Sequence, residues 1–483
     1  MSYKNINDIP KEKFRFVNPD DYIVQNKTTV KTRSYAYDAL KRFCRNKSSV
    51  AGAVIILSLV LFAVFMPFFS SYGISDRDGY YAVVLPKNPL LVDKGFWDGC
   101  KNMDVNRQKL DILEATPGAL FEFKGKNNKG SMRGESFSVR VDSYAMVGFI
   151  NKTISDEEYT GLREYEQNTG IQVMFPLIDE SRIKAPAYAN NANAWFLTDE
   201  KGVAIRDFNG DFQDIYLYEN DMPVYSRSVS NGTHYNVRVL YSEYYKYVNG
   251  EYASFLFGAD AGGYDICTRL AYGARLSLVL SMVVSIINLV IGVFIGALEG
   301  YYGGKFDLIF ERIKDFIWEI PSVVIFALFQ MYLASKAGPV VSLIFAFVCF
   351  GWIGISNVVR AQFYRFKGRE YVMAARTLGA KDSRIIWKHI MPNAAGYIIT
   401  ASVLTIPSVI FSEASLSYMG IVNLQSDNVS SIGTMLNNGQ ETLSTYPHCV
   451  FFPALFIALL LISMNLFGNG LRDALNPTVS EGN

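Results

Sequence analysis

Six apolar runs, at residues 50–69, 276–298, 316–334, 339–357, 395–418 and 450–467, constrain this 483-residue chain more than any other feature. Each is about as long as a helix needs to be to cross a hydrocarbon core of about 30 Å at about 1.5 Å per residue. Half of the residues are hydrophobic and the net charge is only +1, a membrane-protein profile. The expected fold class is an all-α polytopic membrane domain of six transmembrane helices.

The basic residues orient those helices. Residues 1–49 form a polar arm with 11 Lys or Arg against 5 Asp or Glu, ending in Lys41, Arg42, Arg45 and Lys47. The first apolar run starts only at Val50, which argues against a cleavable signal peptide. The loop 299–315 holds three Lys or Arg, the region 358–394 eight, and the loop 419–449 none. By the positive-inside rule the arm, the 299–315 and 358–394 segments and the tail 468–483 lie in the cytoplasm.

Between the first two spans, residues 70–275 contain no segment able to cross a membrane, and 18 of the chain's 30 tyrosines lie there. The stretches SFSVRVDSYAM, DIYLYEN and HYNVRVLYSEYY alternate as half-buried strands do, with turns at Asn209-Gly210 and Asn231-Gly232. Ser155 and Glu158 form a capping-box pattern for a helix over 156–168. Residues 70–275 therefore read as a strand-rich α+β insert, large enough to bury its own core, on the extracytoplasmic side.

The polar segment EYVMAARTLGAKDSRIIWKHIMPNA, residues 370–394, has a different design. Tyr371, Ala375 and Leu378 recur at helical spacing, and Gly379 fits a left-handed cap. Asp382 or Ser383 suits the start of a second helix, whose Ile386 and Ile390 share a face until Pro392 stops it. Small Ala374 and Ala375, ringed by Arg376, Lys381, Arg384 and Lys388, present a docking surface; a solvated amphipathic loop at a basic membrane face is the bland alternative.

This elbow resembles the EAA loop of binding-protein-dependent ABC importer permeases: an Ala-Ala pair, three residues, Gly, then Pro. The family's Glu before Ala-Ala is Met373 here, with Glu370 one turn earlier. The segment RNKSSVAGAVIILSLVLFAVFMP resembles the first helix of the oligopeptide/dipeptide branch, in its second, C-type permease. GYYGGKFD at 300–307, EASLSYMG at 413–420 and FGNGLRDALNP at 467–477 are similar to further segments of the family. FGADAGGYDICTRLAYGARLSL matches the branch's approach to the second helix at Asp260, Asp265, Tyr272, Gly273, Ala274 and Arg275 but departs at Ala259 and Tyr264. Most of residues 70–250 falls outside the resemblance.

The resemblance implies a type I ABC importer permease core over 276–467, with a coupling loop at 365–392, in a bacterial cell membrane. It implies Glu370, Met373, Ala374, Ala375, Gly379, Ile390 and Pro392 as the ATPase-coupling residues. It further implies a second homologous permease, two ATPase subunits that bind the ATP and Mg, and an extracytoplasmic substrate-binding protein, with peptide as the cargo. Nickel, sugars and other solutes are served by similar permeases. The tyrosine-rich insert is expected to receive or orient the binding protein, or to guide its released ligand into the pore; the bland alternative is that its tyrosines pack its own core or cover its surface.

Other chemistry finds little footing. GYYGGKF lacks the spacing of a phosphate-binding loop, and the three histidines, His234, His389 and His448, lie far apart in sequence. No catalytic residue, metal site, cofactor of this chain's own or nucleic-acid partner is expected. Cys100, Cys267 and Cys449 lie in outward-facing segments and leave an external disulfide open. Among polar residues inside the spans, Asn288, Gln330, Glu413 and Asn465 are candidates for the translocation pathway, with interhelical hydrogen bonding as the alternative for the amides. A sensor or scaffold with an external ligand-binding domain is the second reading. Such a chain would more often carry a long coiled coil or catalytic domain inside, where this one has an arm, short loops and a short tail.

Overall fold

The computed structural model describes residues 35–127, 135–229, 232–424 and 429–475. Helix α1 (Tyr35–Arg45) leads into α2 (Lys47–Phe69), whose first turn is capped by the Asn46 side chain accepting the Ser48 N–H. In α2 the small residues turn inward: Ser49, Gly52 and Ala63 are buried, while Val54, Leu57, Leu61 and Phe65 are exposed. That inversion suits a helix whose outer face meets lipid.

The chain then builds two antiparallel sheets. In the first, β1 (Cys100–Asn106), β2 (Leu120–Asn127) and β3 (Ser136–Asp142) lie in the order β1-β3-β2. Strict alternation along β3 buries Phe137, Val139 and Val141 against Val105 and against Leu110 and Leu113 of α3 (Arg107–Ala115). The second sheet joins β4 (Phe149–Ser155), β5 (Met174–Phe175), β8 (Ser226–Val229) and β9 (His234–Leu240); β6 (Tyr218–Glu219) and β7 (Met222–Pro223) form a small hairpin. Helix α4 (Asp156–Thr169) starts at the expected cap, with Ser155 Oγ accepting the Glu158 N–H at 3.2 Å.

Two strand expectations need correction. In HYNVRVLYSEYY only His234–Leu240 is strand; Tyr241–Asn249 is helix α5, because Tyr241 and Tyr244 repeat at helical spacing and Gly250 (φ 83°) closes the turn. In DIYLYEN only Tyr218 and Glu219 pair as strand, while Asp214 and Tyr216 make isolated bridges to Phe196 and Ile178. Gly210 turns the chain as expected at φ 89°, while Asn231 lies outside the described residues. Of the insert's tyrosines, Tyr81, Tyr144, Tyr188, Tyr241 and Tyr244 are buried in its own cores.

The insert is seated on the helical bundle. Phe257 stacks on Phe452 with centroids 4.3 Å apart, Lys101 Nζ donates to Tyr446 Oη at 3.1 Å, and His448 Nε2 lies 3.3 Å from the Ala259 carbonyl. No disulfide joins the described cysteines; Cys267 and Cys449 are buried free thiols, and burial and the neighbouring Asp142 push the Cys100 thiol up to about 12.

Five described helices are long and apolar enough to cross a membrane: α2, α6 (Ile266–Tyr302), α9 (Pro339–Phe366), α11 (Asp382–Tyr418) and α13 (His448–Leu475). The expected continuous helix over 316–334 is instead divided into α7 (Gly304–Trp318) and α8 (Ser322–Tyr332). Pro321 causes the break, since it lacks an N–H and disfavours helical backbone at the residue before it. Helices α6 and α9 run in close contact because Gly292, Gly296 and Gly300 recur every turn on one face of α6. A Cβ on Gly296 would stand 2.4 Å from the Ser356 carbonyl oxygen, and one on Gly300 2.4 Å from Phe363 Cβ. The short α10 (Glu370–Thr377) and α12 (Ile432–Gly439) complete the bundle.

Candidate functional site

The elbow is built where α10 ends and α11 begins. Gly379 adopts φ 79°, and the Gly379 and Ala380 N–H groups donate to the Arg376 and Ala375 carbonyls at 3.0 and 3.1 Å. This is a Schellman closure, and a side chain at Gly379 would be strained by backbone alone, since a Cβ there meets no atom within 4 Å. The expected cap at Asp382 or Ser383 is not used: Lys381 holds the cap position without a side-chain bond. Asp382 instead accepts from the Tyr301 hydroxyl at the end of α6, and Arg376 donates to that hydroxyl at 3.2 Å. Both limbs of the elbow are thus tied to one residue of α6.

Pro392 does not stop the second helix. Ile385–Ile390 form a π turn, the Met391 N–H reaches back to the Ile386 carbonyl, and the helix continues to Tyr418. The wider turn removes the contact between the proline ring and the carbonyl four residues earlier that would break an α-helix. The elbow therefore runs without interruption into a long apolar helix.

The exposed face also differs from the sequence expectation. Val372, Ile385, Ile386 and Ile390 pack inward with Tyr301, Val359 and Phe363, and Ala375 is buried as well. Ala375 is 8% exposed and supports the elbow from within, whereas Leu378 is 87% exposed. Met373, Ala374, Tyr371 and Trp387 are also exposed, beside the exposed Glu370 and Pro392. Helical spacing grouped Tyr371, Ala375 and Leu378, but the tertiary packing selects Val372 with Ala375.

The four polar candidates in the spans are not brought together. Asn288 is 2% exposed and lines a cavity of about 590 Å³ between α6, α8, α9 and α11; Gly351 leaves room for it, since a Cβ there would stand 2.0 Å from Asn288 Nδ2. Glu413 is 1% exposed and accepts from Ser277 at 2.8 Å and Ser417 at 3.2 Å, an interhelical lock between α6 and α11. Gln330 donates to the Pro339 carbonyl at 3.1 Å, and Asn465 is exposed on α13.

Sequence reasoning missed an ionic cluster at the elbow end of α6, α7 and α9. Lys314 donates to Glu299 at 3.0 Å and to Asn357 at 2.7 Å and pairs with Glu311, while Arg360 holds Asp307 through two bonds, at 2.5 and 2.8 Å. Tyr364 also donates to Asp307 at 2.8 Å. The carboxylates Glu299, Asp307 and Glu311 lie within metal-ligand reach of one another, but Lys314 and Arg360 already pair with them. The signal was in the sequence: Asp307, Glu311 and Lys314 at i, i+4 and i+7 put three charges on one face of α7.

Two family descriptions match the chain: a binding-protein-dependent transport system inner membrane component over residues 288–481, and the N-terminal TM domain of oligopeptide transport permease C over residues 34–88. The oligopeptide transport system permease protein OppC of Bacillus subtilis is 41% identical over 221 residues, 46% of this chain and 71% of that one. The dipeptide transport system permease protein DppC of the same organism is 39% identical over 226 residues, 47% of this chain and 69% of that one. In tertiary structure, an inward-facing MetNI methionine ABC transporter chain is 16% identical with a TM-score of 0.35, over 43% of this chain and 96% of that one, too slight a likeness to carry an argument. The helical part with its elbow, and the extent of the similarity to OppC and DppC, place the chain in the family of inner membrane permease components of binding-protein-dependent transport systems.

Proposed function

We propose that this chain is the C-type permease subunit of an ATP-driven importer of oligopeptides or dipeptides. In this reading residues 316–334, divided at Pro321, make the third of six spans of a type I permease fold, the arm, the 299–315 loop, the elbow and the tail face the cytoplasm, and the insert faces outward. The absence of Lys and Arg from 419–449 and their abundance in 358–394 support that orientation. A second homologous permease completes the pathway, two ATPase subunits bind ATP and Mg and carry out the hydrolysis, and this chain itself catalyses nothing. A substrate-binding protein delivers cargo at the insert, whose seat on Phe452 and Tyr446 joins it to the last helix.

The single observation that carries the coupling role is the exposed apolar face of an internally braced elbow. Leu378, Met373, Tyr371 and Trp387 face outward, while Val372, Ala375 and Ile390 hold the backbone from below. Exposed apolar groups on a rigid support suit burial in a partner's groove. Tyr301 then gives any displacement of the elbow a direct route into α6.

The test is ATP-driven peptide uptake by the reconstituted complex with Leu378→Asp. Uptake and cargo-stimulated ATP hydrolysis should fall about tenfold or more, consistent with loss of a buried contact worth about 1.4 kcal/mol or more. The isolated subunit should keep its wild-type thermal stability. Wild-type rates in this variant would remove the elbow from coupling, and a wild-type complex that carries nickel or a sugar but no peptide would overturn the cargo.

A further inference from the structure

The break between α7 and α8 places a carboxylate where an apolar run was expected. Glu319 follows the last residue of α7 and precedes Pro321, which holds the cap position of α8 without a side-chain bond. Six of the 15 residues of α7 are charged and none of the 11 of α8 is, so Glu319 stands where a polar helix gives way to an apolar one. Its side chain lines the cavity of about 590 Å³ together with Asn288, Ser322, Thr405, Ser408 and Ser412.

Among the described residues lining that cavity Glu319 alone is charged, and no described basic group pairs with it. Arg312, two turns earlier on α7, pairs with Asp315 at 3.2 Å. Glu319 is exposed rather than buried, so its carboxylate is open to a cationic group entering the cavity. The cavity therefore has one fixed negative charge, several neutral hydrogen-bonding groups, and aromatic walls at Phe326, Phe347 and Phe350. That chemistry suits an organic ammonium group flanked by amides and apolar side chains.

Taking the cargo to be a peptide, as proposed above, we infer that Glu319 receives the peptide's α-ammonium group during passage through this cavity. The Ser, Thr and Asn side chains then face the peptide backbone, and the phenyl rings accommodate its side chains without selecting among them. Because the contact is made in passage, it discriminates by charge at one end and tolerates varied sequence elsewhere.

The experiment compares uptake of one radiolabelled peptide with a free N-terminus and the same peptide N-acetylated. Both are offered to the complete importer with its binding protein, and the ratio of the two rates is taken for wild type and for Glu319→Gln. Any preference of the binding protein cancels when the two ratios are compared. The ratio should fall about three- to tenfold in Glu319→Gln, mostly through slower uptake of the free peptide, and return towards wild type in Glu319→Asp. An unchanged ratio in Glu319→Gln, or equal loss for both peptides in Glu319→Gln and Glu319→Asp alike, would overturn the inference. A wild-type complex that carries neither peptide would instead overturn the peptide reading itself.

Discussion

The insert and the helical bundle use opposite rules for what goes inside. In the insert, Phe137, Val139 and Val141 alternate into the core while their neighbours face out, as the hydrophobic effect requires in water. In α2 the large residues Val54, Leu57 and Phe65 are exposed, and Ser49, Gly52 and Ala63 are inside. Apolar surface gains little by leaving lipid for protein, so the helices associate where small residues let backbones meet and polar groups find partners. Gly292, Gly296 and Gly300 against α9, and the Glu299–Lys314 pair beside them, are where such an interface concentrates its specificity.

That contrast can be broken most forcefully at Lys314. Lys314→Met leaves Glu299 buried and uncompensated, and should cost about 3–5 kcal/mol, read as a lower unfolding midpoint of the purified protein in detergent. Adding Glu299→Gln should restore most of the loss, because the penalty comes from the stranded charge. A silent single variant would mean that the cluster does not join α6, α7 and α9.

The next effect concerns backbone approach. Gly296→Leu should destabilise by about 3 kcal/mol, since its Cβ alone would lie 2.4 Å from the Ser356 carbonyl oxygen. Gly354→Ala, also in the bundle, has no neighbour within 4 Å and should not lower the midpoint, since Ala gains about 0.5–1 kcal/mol over Gly inside a helix. Equal effects at the two glycines would show that helix propensity rather than close packing is being measured.

The smallest and sharpest comparison pairs one apolar truncation from each region. Val139→Ala in the fully buried insert core should cost about 2 kcal/mol, detected as increased amide exchange in β1 to β3. Leu57→Ala removes more carbon but from an exposed face of α2, and should change stability by about 0.5 kcal/mol or less. Similar costs at both sites would indicate that Leu57 is covered, for instance by the second permease.

Much of this architecture is legible from composition and pattern, because local physics specifies it. Five of the six apolar runs are long helices, and Ser155 caps α4 where the capping pattern places it. Gly379 takes the left-handed conformation that closes the elbow's first helix. Family segments such as the Ala-Ala and Gly pattern could be recognised because they are contiguous in the chain. Charge asymmetry between loops is also a one-dimensional property, and it supports the proposed orientation without reference to packing.

What the tertiary structure decided depends on which distant residues meet. Which face of α10 turns inward is set by Val372 packing in a cluster with Phe363 and Tyr301, residues on two other helices, so periodicity within α10 was insufficient. Pro392 is carried through a π turn, and Pro321 opens a break that brings Glu319 to a cavity, whereas the sequence suggested a helix stopping at Pro392 and running on through Pro321. Asn288 and Glu413 both read as polar groups in apolar spans, yet one lines the cavity and the other locks two helices through Ser277. The sequence by itself determined which segments are helical and apolar, because hydrogen bonding and hydrophobicity act over neighbouring residues. Only the folded chain decided which polar groups are paired and which remain available, because pairing is a property of positions brought together across the bundle.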